Sequence, residues 1–198
     1  MKRIINKLFW IALILFFIYR HIYHKITHMN SDDLEWVTNR YIGEIMVFES
    51  ETGIIDTVKI WDIHIHNCIS PYNMNIDYWV DEYISRASID YLFTGSNSID
   101  GYFYIIKENN NEPVYVGNGI NHKWSKSMKY NYESIEIFGK IYNDVIFFDN
   151  KYTQSKDSTQ NENSAQFSVW SKKYGLLQYT DEDGITFTRI DLNKLQNK

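Results

Sequence analysis

The chain has 198 residues, of which 44% are hydrophobic and 17% aromatic, and its formal net charge is −5. This length fits one ordinary domain with a short additional segment, and the composition excludes a disordered or collagen-like chain. The single cysteine, Cys68, excludes an intramolecular disulfide framework and a cysteine-based zinc finger.

The charge is unevenly distributed along the chain. Residues 1–28 contain five basic residues and no acidic one, which leaves 15 basic and 25 acidic residues, a net charge of −10, in the rest. Nucleic acid binding depends on clustered Lys and Arg that displace counterions from phosphates. The acidic remainder therefore predicts no nucleic acid partner.

The first 28 residues contain a hydrophobic run of twelve uncharged residues, 8–19, which follows the basic residues 1–7. This length is closer to the hydrophobic region of a signal peptide than to a spanning helix. However, no small-residue cleavage site follows it, and residues 4–23 can cross ~30 Å of hydrocarbon if Lys7 and Arg20 extend toward the head groups. We therefore expect residues 1–28 to form a membrane anchor, with a cleaved signal segment and a secreted protein as the alternative.

The basic residues also predict an orientation. Lys2, Arg3 and Lys7 precede the hydrophobic run, whereas only Arg20 and Lys25 closely follow it. Because positive charge favours the cytoplasmic side, we expect a single-pass protein of the cell membrane with a cytoplasmic N-terminus. Residues 29–198 then form an extracytoplasmic, periplasmic domain.

The body of the chain shows the two-residue period of β-strands. After a short helical turn capped within residues 30–33, we predict strands over 40–50, 54–67, 82–93, 101–107, 114–116, 139–150, 167–170, 174–180 and 185–191. Tight turns are expected at 51–53 and 183–184, a turn or short helix at 76–80 and a loop at 154–163. The predicted fold is mainly β: a single antiparallel sheet, strongly curved or partly closed as a meander or half-barrel, behind one N-terminal hydrophobic helix.

The segment Asp62-x-His64-x-His66 is the strongest candidate site. Alternate residues of a strand share one face, so these three side chains should project together, with Trp61, Ile63 and Ile65 facing the other way. Two imidazoles and a carboxylate suit a Zn or Fe ion, and Cys68 could add a thiolate. The alternative is the polar, solvent-facing side of a half-buried strand.

The aromatic residues have two interpretations. Trp61, Trp79, Trp124, Trp170 and many tyrosines could form a thick aromatic core with tyrosine rings on the outer face of the sheet. They could also line a concave face that binds an apolar ligand.

The most distinctive motifs lie in the C-terminal third, at 139–146 (GKIYNDVI), 169–179 (VWSKKYGLLQY), 183–184 (DG) and 187–189 (FTR). This pattern, GKxYxDVIxF followed by WSKKYGLIxY and DG, resembles a family of small uncharacterised β-rich envelope proteins of Gram-negative gut-type bacteria. The resemblance extends weakly back to Trp36 and 54–67. It implies a β-rich fold and an envelope location, and it implies no activity, catalytic residue or cofactor.

Together these features predict an uncharacterised membrane-anchored envelope protein that is a non-enzymatic binding or interaction module. Its concave aromatic face would bind a lipid, a glycan or another envelope protein. The alternative is a metal-binding protein or metalloenzyme centred on Asp62, His64 and His66. The chain contains no Walker loop, GxSxG, HExxH or CxxC motif, and its sequence leaves an enzymatic activity open.

Overall fold

A computed structural model describes residues 2–23, 25–67, 82–94, 99–120, 123–125, 128–129, 131–149, 152–153, 167–181 and 183–192. The helices are α1 (Lys2–Tyr23) and α2 (Ser31–Thr38). The strands are β1 (Lys25–Ile26), β2 (Ile45–Ser50), β3 (Ile55–His66), β4 (Glu82–Tyr83), β5 (Ser85–Phe93), β6 (Ile99–Lys107), β7 (Tyr115–Ile120), β8 (Lys123–Trp124), β9 (Met128–Lys129), β10 (Glu133–Ile137), β11 (Lys140–Asp149), β12 (Tyr152–Thr153), β13 (Phe167–Ser171), β14 (Gly175–Thr180) and β15 (Thr186–Arg189).

Apart from β1 and β4, which pair with each other in parallel, all described strands join one antiparallel sheet. Their order is β10-β11-β13-β14-β15-β2-β3-β5-β6-β7-β8-β12, and β9 also pairs with β7. Most neighbours in this order are consecutive in the chain, as in a meander. The predicted mainly β fold with a single antiparallel sheet is therefore confirmed.

The sheet is strongly curved and is not closed into a barrel. β6 and β13 are six positions apart in the strand order, which corresponds to ~29 Å in a flat sheet. Nevertheless, the rings of Phe103 on β6 and Trp170 on β13 are stacked with centroids 4.4 Å apart. One stretch of chain also reaches both edges of the sheet. β10, the strand at one edge, pairs with β11, and β12, the strand at the other edge, begins three residues after β11 ends.

The main hydrophobic core lies on the inner face of this curved sheet. Burial alternates residue by residue along β5, from Ser85 to Phe93. Every second side chain of this strand therefore points into the core. The largest buried apolar side chains of this core are Trp36, Phe48, Tyr91, Phe103, Phe148 and Trp170.

Helix α2 covers one end of the sheet, which we call the α2 end; here β2 begins and β6 finishes. Asn30 caps the helix: its side chain accepts a hydrogen bond from the backbone N–H of Asp33, and the Asp33 carboxylate accepts one from the backbone N–H of Asn30. The buried Trp36 ring stacks on Phe103 with centroids 5.8 Å apart. Asp33 also binds the buried Lys107 Nζ at 2.9 Å, which fixes α2 to the end of β6.

Both predicted tight turns are confirmed. Gly53 and Gly184 lie in them with φ of 81° and 79°, a conformation that glycine adopts without strain. The hairpin of β10 and β11 was not predicted from the sequence. The predicted elements at 76–80 and 154–163 lie outside the described residues.

Candidate functional site

The structure confirms that Asp62, His64 and His66 share one face of β3. Their Cα partners on β5 are Asp90, Ser88 and Arg86, respectively. A register shift between Ile60 and Asp62 inserts one extra residue, Trp61, into this strand. The prediction that Trp61 shares a face with Ile63 and Ile65 is therefore wrong. The register shift interrupts the alternation at Trp61, and 49% of that side chain is exposed.

His64 lies between two carboxylates on this outer face. Its Nε2 is 3.1 Å from Oδ2 of Asp62 and 3.7 Å from Oδ2 of Asp90. Asp90 comes from the neighbouring strand, and the sequence reasoning did not place it in the site. The His64 side chain is 62% exposed, so the contact is a surface pair, which would be an ion pair only with a protonated imidazole. Such pairs contribute about 0–1 kcal/mol to stability.

The environment of Asp90 raises its pKa above the ordinary value for aspartate. Partial burial is the largest cause, because it disfavours the charged form, while the nearby His64 opposes it and the carboxylates of Asp62 and Asp100 add to it. The cluster therefore brings acidic groups together beside one histidine side chain.

Among the described residues, no three His, Cys, Asp or Glu side chains are arranged so that they could hold a metal ion. The contacts of His64 are with Asp62 and Asp90, and Cys68 lies outside the described residues. At this cluster the described residues place one imidazole beside two carboxylates on the surface of the sheet.

Two tyrosines lie on the same outer face, on β6. The rings of Tyr102 and Tyr104 stack with centroids 5.3 Å apart. A Cβ atom at Gly117 would lie 2.3 Å from Cζ of Tyr104, so only glycine allows the ring to lie flat on β7. This arrangement agrees with the predicted packing of tyrosine rings on the outer face.

The inner face is filled by its own side chains. Tyr91, Phe103 and Trp170 are completely buried, and the Tyr91 and Trp170 rings are 5.7 Å apart. Tyr91 Oη donates a 2.7 Å hydrogen bond to Asn118 Oδ1, and Asn118 Nδ2 donates one of 2.7 Å to Ser168 Oγ. Of the tryptophans named as candidates for a concave ligand-binding face, Trp170 is thus fully buried against other rings, Trp61 is 49% exposed, and Trp79 lies outside the described residues.

A buried ionic network holds together the strands at the α2 end. Arg189, which is completely buried, binds Glu44 and Asp191 and donates to the backbone oxygen of Tyr174. Glu44 also binds Arg40 at 2.7 Å. Burial lowers the pKa of Arg40, while Glu44 opposes this shift. The network joins the start of β2, the end of β15 and the turn between β13 and β14.

Helix α1 exposes a large apolar surface. Large apolar side chains along the helix are more than half exposed: Ile5, Leu8, Phe9, Trp10, Ile11, Ile14, Leu15 and Phe16. Within the part of the chain that the structure describes, no helix is both long enough and apolar enough to qualify as a membrane-spanning segment.

Comparisons with models of known protein families, with curated proteins and with solved structures found no match for this chain.

Proposed function

We propose that this protein is a membrane-anchored, non-enzymatic interaction module of a bacterial cell envelope. In this proposal α1 holds the chain in the membrane, and the curved β domain outside contacts a lipid surface, a glycan or another envelope protein. The observation that carries the proposal is the exposed apolar surface of α1.

The exposed side chains of α1 lie all around the helix. Successive residues of an α-helix are rotated by about 100°, so the four consecutive residues Leu8, Phe9, Trp10 and Ile11 cover its whole circumference. All four are more than half exposed. A helix that is apolar on every side is typical of a buried or membrane-embedded helix, because water disfavours such a surface.

The charged residues at the two ends of the hydrophobic run determine how the helix could cross the membrane. Residues 8–19 alone give ~18 Å of helix, which is shorter than the ~30 Å hydrocarbon core. Crossing therefore requires Lys7 and Arg20 to extend their long side chains to the head groups on opposite sides. The excess of basic residues before the run favours a cytoplasmic N-terminus.

The packing of the β domain supports an interaction on its outer surface. Its inner face is filled by buried rings such as Phe103 and Trp170, and a buried polar chain from Tyr91 to Ser168 crosses the same space. An exchange of core side chains for a ligand would break these contacts. The outer surface and the ends of the sheet are therefore the places where a partner would bind.

Membrane fractionation of the full chain tests this proposal. Ile11→Lys with Leu15→Lys places two charges on exposed positions of α1, and Ile54→Lys with Ile55→Lys places two charges on exposed positions at the start of β3 as a matched control. We expect the native chain and the control to resist extraction by alkaline carbonate, whereas the α1 variant becomes soluble. A native chain in the soluble fraction, or an α1 variant as firmly bound as the control, would contradict the proposal.

A further inference from the structure

We infer that the α2 end of the β domain itself rests on the membrane surface and inserts the tip of the β10–β11 hairpin among the lipid head groups. This inference rests on the proposed function, because it requires α1 to be in the membrane. Its new element is a second membrane contact, made by the folded domain. The tip consists of Phe138 and Gly139, and Ile141 lies next to it on β11.

The chain that leaves α1 joins the β domain at the α2 end. Thr27 lies four residues after the end of α1, and its side-chain oxygen donates a 2.8 Å hydrogen bond to the backbone oxygen of Lys107 and accepts one from the backbone N–H of Ser85. Four residues of extended chain span at most ~14 Å. Because Lys107 ends β6 and Ser85 begins β5, the α2 end of the sheet cannot lie far from the membrane that holds α1.

The β10–β11 hairpin projects from this same end. Val145 on β11 is paired with Ser171, the last residue of β13, so residues 140–144 extend beyond β13. Tyr132, which precedes β10, stacks on Trp36 of α2 with ring centroids 6.0 Å apart. From that level, β10 runs outward to the turn at Phe138 and Gly139.

The tip of the hairpin exposes apolar side chains. Phe138 is 71% exposed and Ile141 is 61% exposed, although an aromatic ring exposed to this degree is unfavourable in water. Phe138 also has a φ of 49°, a left-handed conformation that an aromatic residue rarely adopts. Two unfavourable features at one position indicate that Phe138 serves an interaction rather than the stability of the turn.

Other exposed apolar residues share the α2 end. Tyr41 and Ile42 precede β2, and Ile65 lies near the end of β3; all are roughly half exposed or more. Tyrosine and tryptophan are the residues that favour the membrane interface. This distribution points to a lipid surface, since it is continuous with the place where α1 leaves the domain.

Charge limits how deeply the hairpin inserts. Glu136 is the Cα partner of Ile141, and its exposed carboxylate must stay in contact with water. The chain beyond residue 28 also has a net charge of −10, which opposes binding to anionic lipid. We therefore expect contact at the depth of the head groups, driven by apolar side chains, and no stronger on anionic than on zwitterionic membranes.

Site-directed spin labelling of the full chain in phosphatidylcholine vesicles tests this inference. Phe138→Cys and Ile55→Cys, each combined with Cys68→Ser, place a single nitroxide at the hairpin tip and, as a matched control, at the opposite end of the sheet. For each label we compare the ratio of collisions with oxygen to collisions with a water-soluble nickel complex. We expect this ratio to be several-fold higher for the label at position 138 than for the label at position 55. Adding phosphatidylglycerol should not increase this ratio.

Three results would overturn the inference. If the vesicles carry the protein but both labels are equally accessible to nickel, the domain stands away from the membrane while the anchor still holds. If the label at position 138 is shielded from both reagents, a protein partner or a second copy covers the tip. If contact appears only with phosphatidylglycerol, charge rather than apolar insertion is responsible. A chain that does not float with the vesicles would contradict the proposed function as well.

A second variant separates membrane contact from folding. Phe138→Asn removes the aromatic ring and introduces a residue that tolerates positive φ. With the label moved to position 141 by Ile141→Cys, we expect this substitution to reduce the ratio of oxygen to nickel collisions several-fold while the chain stays bound to vesicles. An unchanged ratio would show that Phe138 does not insert.

Discussion

Phe103 on β6 and Trp170 on β13 lie face to face, with ring centroids 4.4 Å apart and an angle of 5° between the ring planes. The two strands are distant in the order of the sheet, so this contact exists only because the sheet curves around its own side chains. It places both rings, which are completely buried, inside a packed core. An aromatic groove open to a ligand would require these rings to be apart.

We predict that Trp170→Ala lowers the free energy of unfolding by about 3–5 kcal/mol, because it removes a fully buried ring and leaves a cavity. Trp170→Phe should lower it less, since the indole Nε1 has no acceptor among the described residues and no hydrogen bond is lost. Chemical denaturation in mild detergent measures both. Equal stability of the native chain and Trp170→Ala would show that the ring does not fill the core.

Glu44 provides the second stability prediction. It is the carboxylate that Arg40 and the completely buried Arg189 share, so Glu44→Gln leaves two buried guanidinium groups with less compensating charge. We expect a loss of about 3–5 kcal/mol in the free energy of unfolding. Glu49→Gln, at an exposed position of β2, the strand that follows Glu44, is the control and should change it little. A loss of the same size in both variants would mean that the network is not what stabilises this end.

Asp90 provides a prediction of pH dependence. Its pKa is raised in the folded protein, mainly by burial, so the folded state binds the proton more tightly than the unfolded state does. Titration of Asp90 therefore lowers the free energy of unfolding as the pH rises from the ordinary pKa of aspartate through the raised pKa. We expect Asp90→Asn to raise the melting temperature at pH 7.

This gain should shrink as the pH approaches 3.8, the ordinary value. His64→Ala removes the group that opposes the shift, so it should raise the pKa of Asp90 further and enlarge the gain from Asp90→Asn. Melting curves from pH 3.5 to 8 would measure both effects. A gain that is constant across this range would show that titration of Asp90 is not involved.

The turn between β10 and β11 provides a second prediction of increased stability. Both of its central residues, Phe138 and Gly139, have positive φ, as in the type I′ turns that favour Asn-Gly. Phe138→Asn should therefore stabilise the folded protein by about 1 kcal/mol in detergent, although it weakens the membrane contact. Ile141→Asn, on the adjacent strand, should give no such gain. A lower melting temperature for Phe138→Asn would mean that the ring stabilises the fold.

The sequence was sufficient to predict those elements whose signals are local. Asn30 and Asp33 form the reciprocal cap expected of residues before a helix, and Gly53 and Gly184 lie in the turns that their neighbours predicted. The alternation of β3 correctly placed Asp62, His64 and His66 on one face.

Features that depend on tertiary register were not predictable. Asp90 reaches His64 only through the pairing of β3 with β5 and the register shift after Ile60, and no motif in the sequence encodes that distance. The β10–β11 hairpin was missed because Phe138-Gly139 is not one of the dipeptides that favour its turn. Whether the aromatic residues line a groove or fill a core is decided by curvature, which the pattern of the strands leaves open.

The most direct test of the membrane-anchored account is protease accessibility combined with the intact mass of what remains. We predict that protease added to the outside of the inner membrane degrades the β domain and leaves a protected fragment that begins at Met1 and ends near Met29, held in the membrane. A soluble protein whose mass lacks residues 1–28, or a β domain protected until the membrane is dissolved, would contradict an uncleaved anchor with the domain outside.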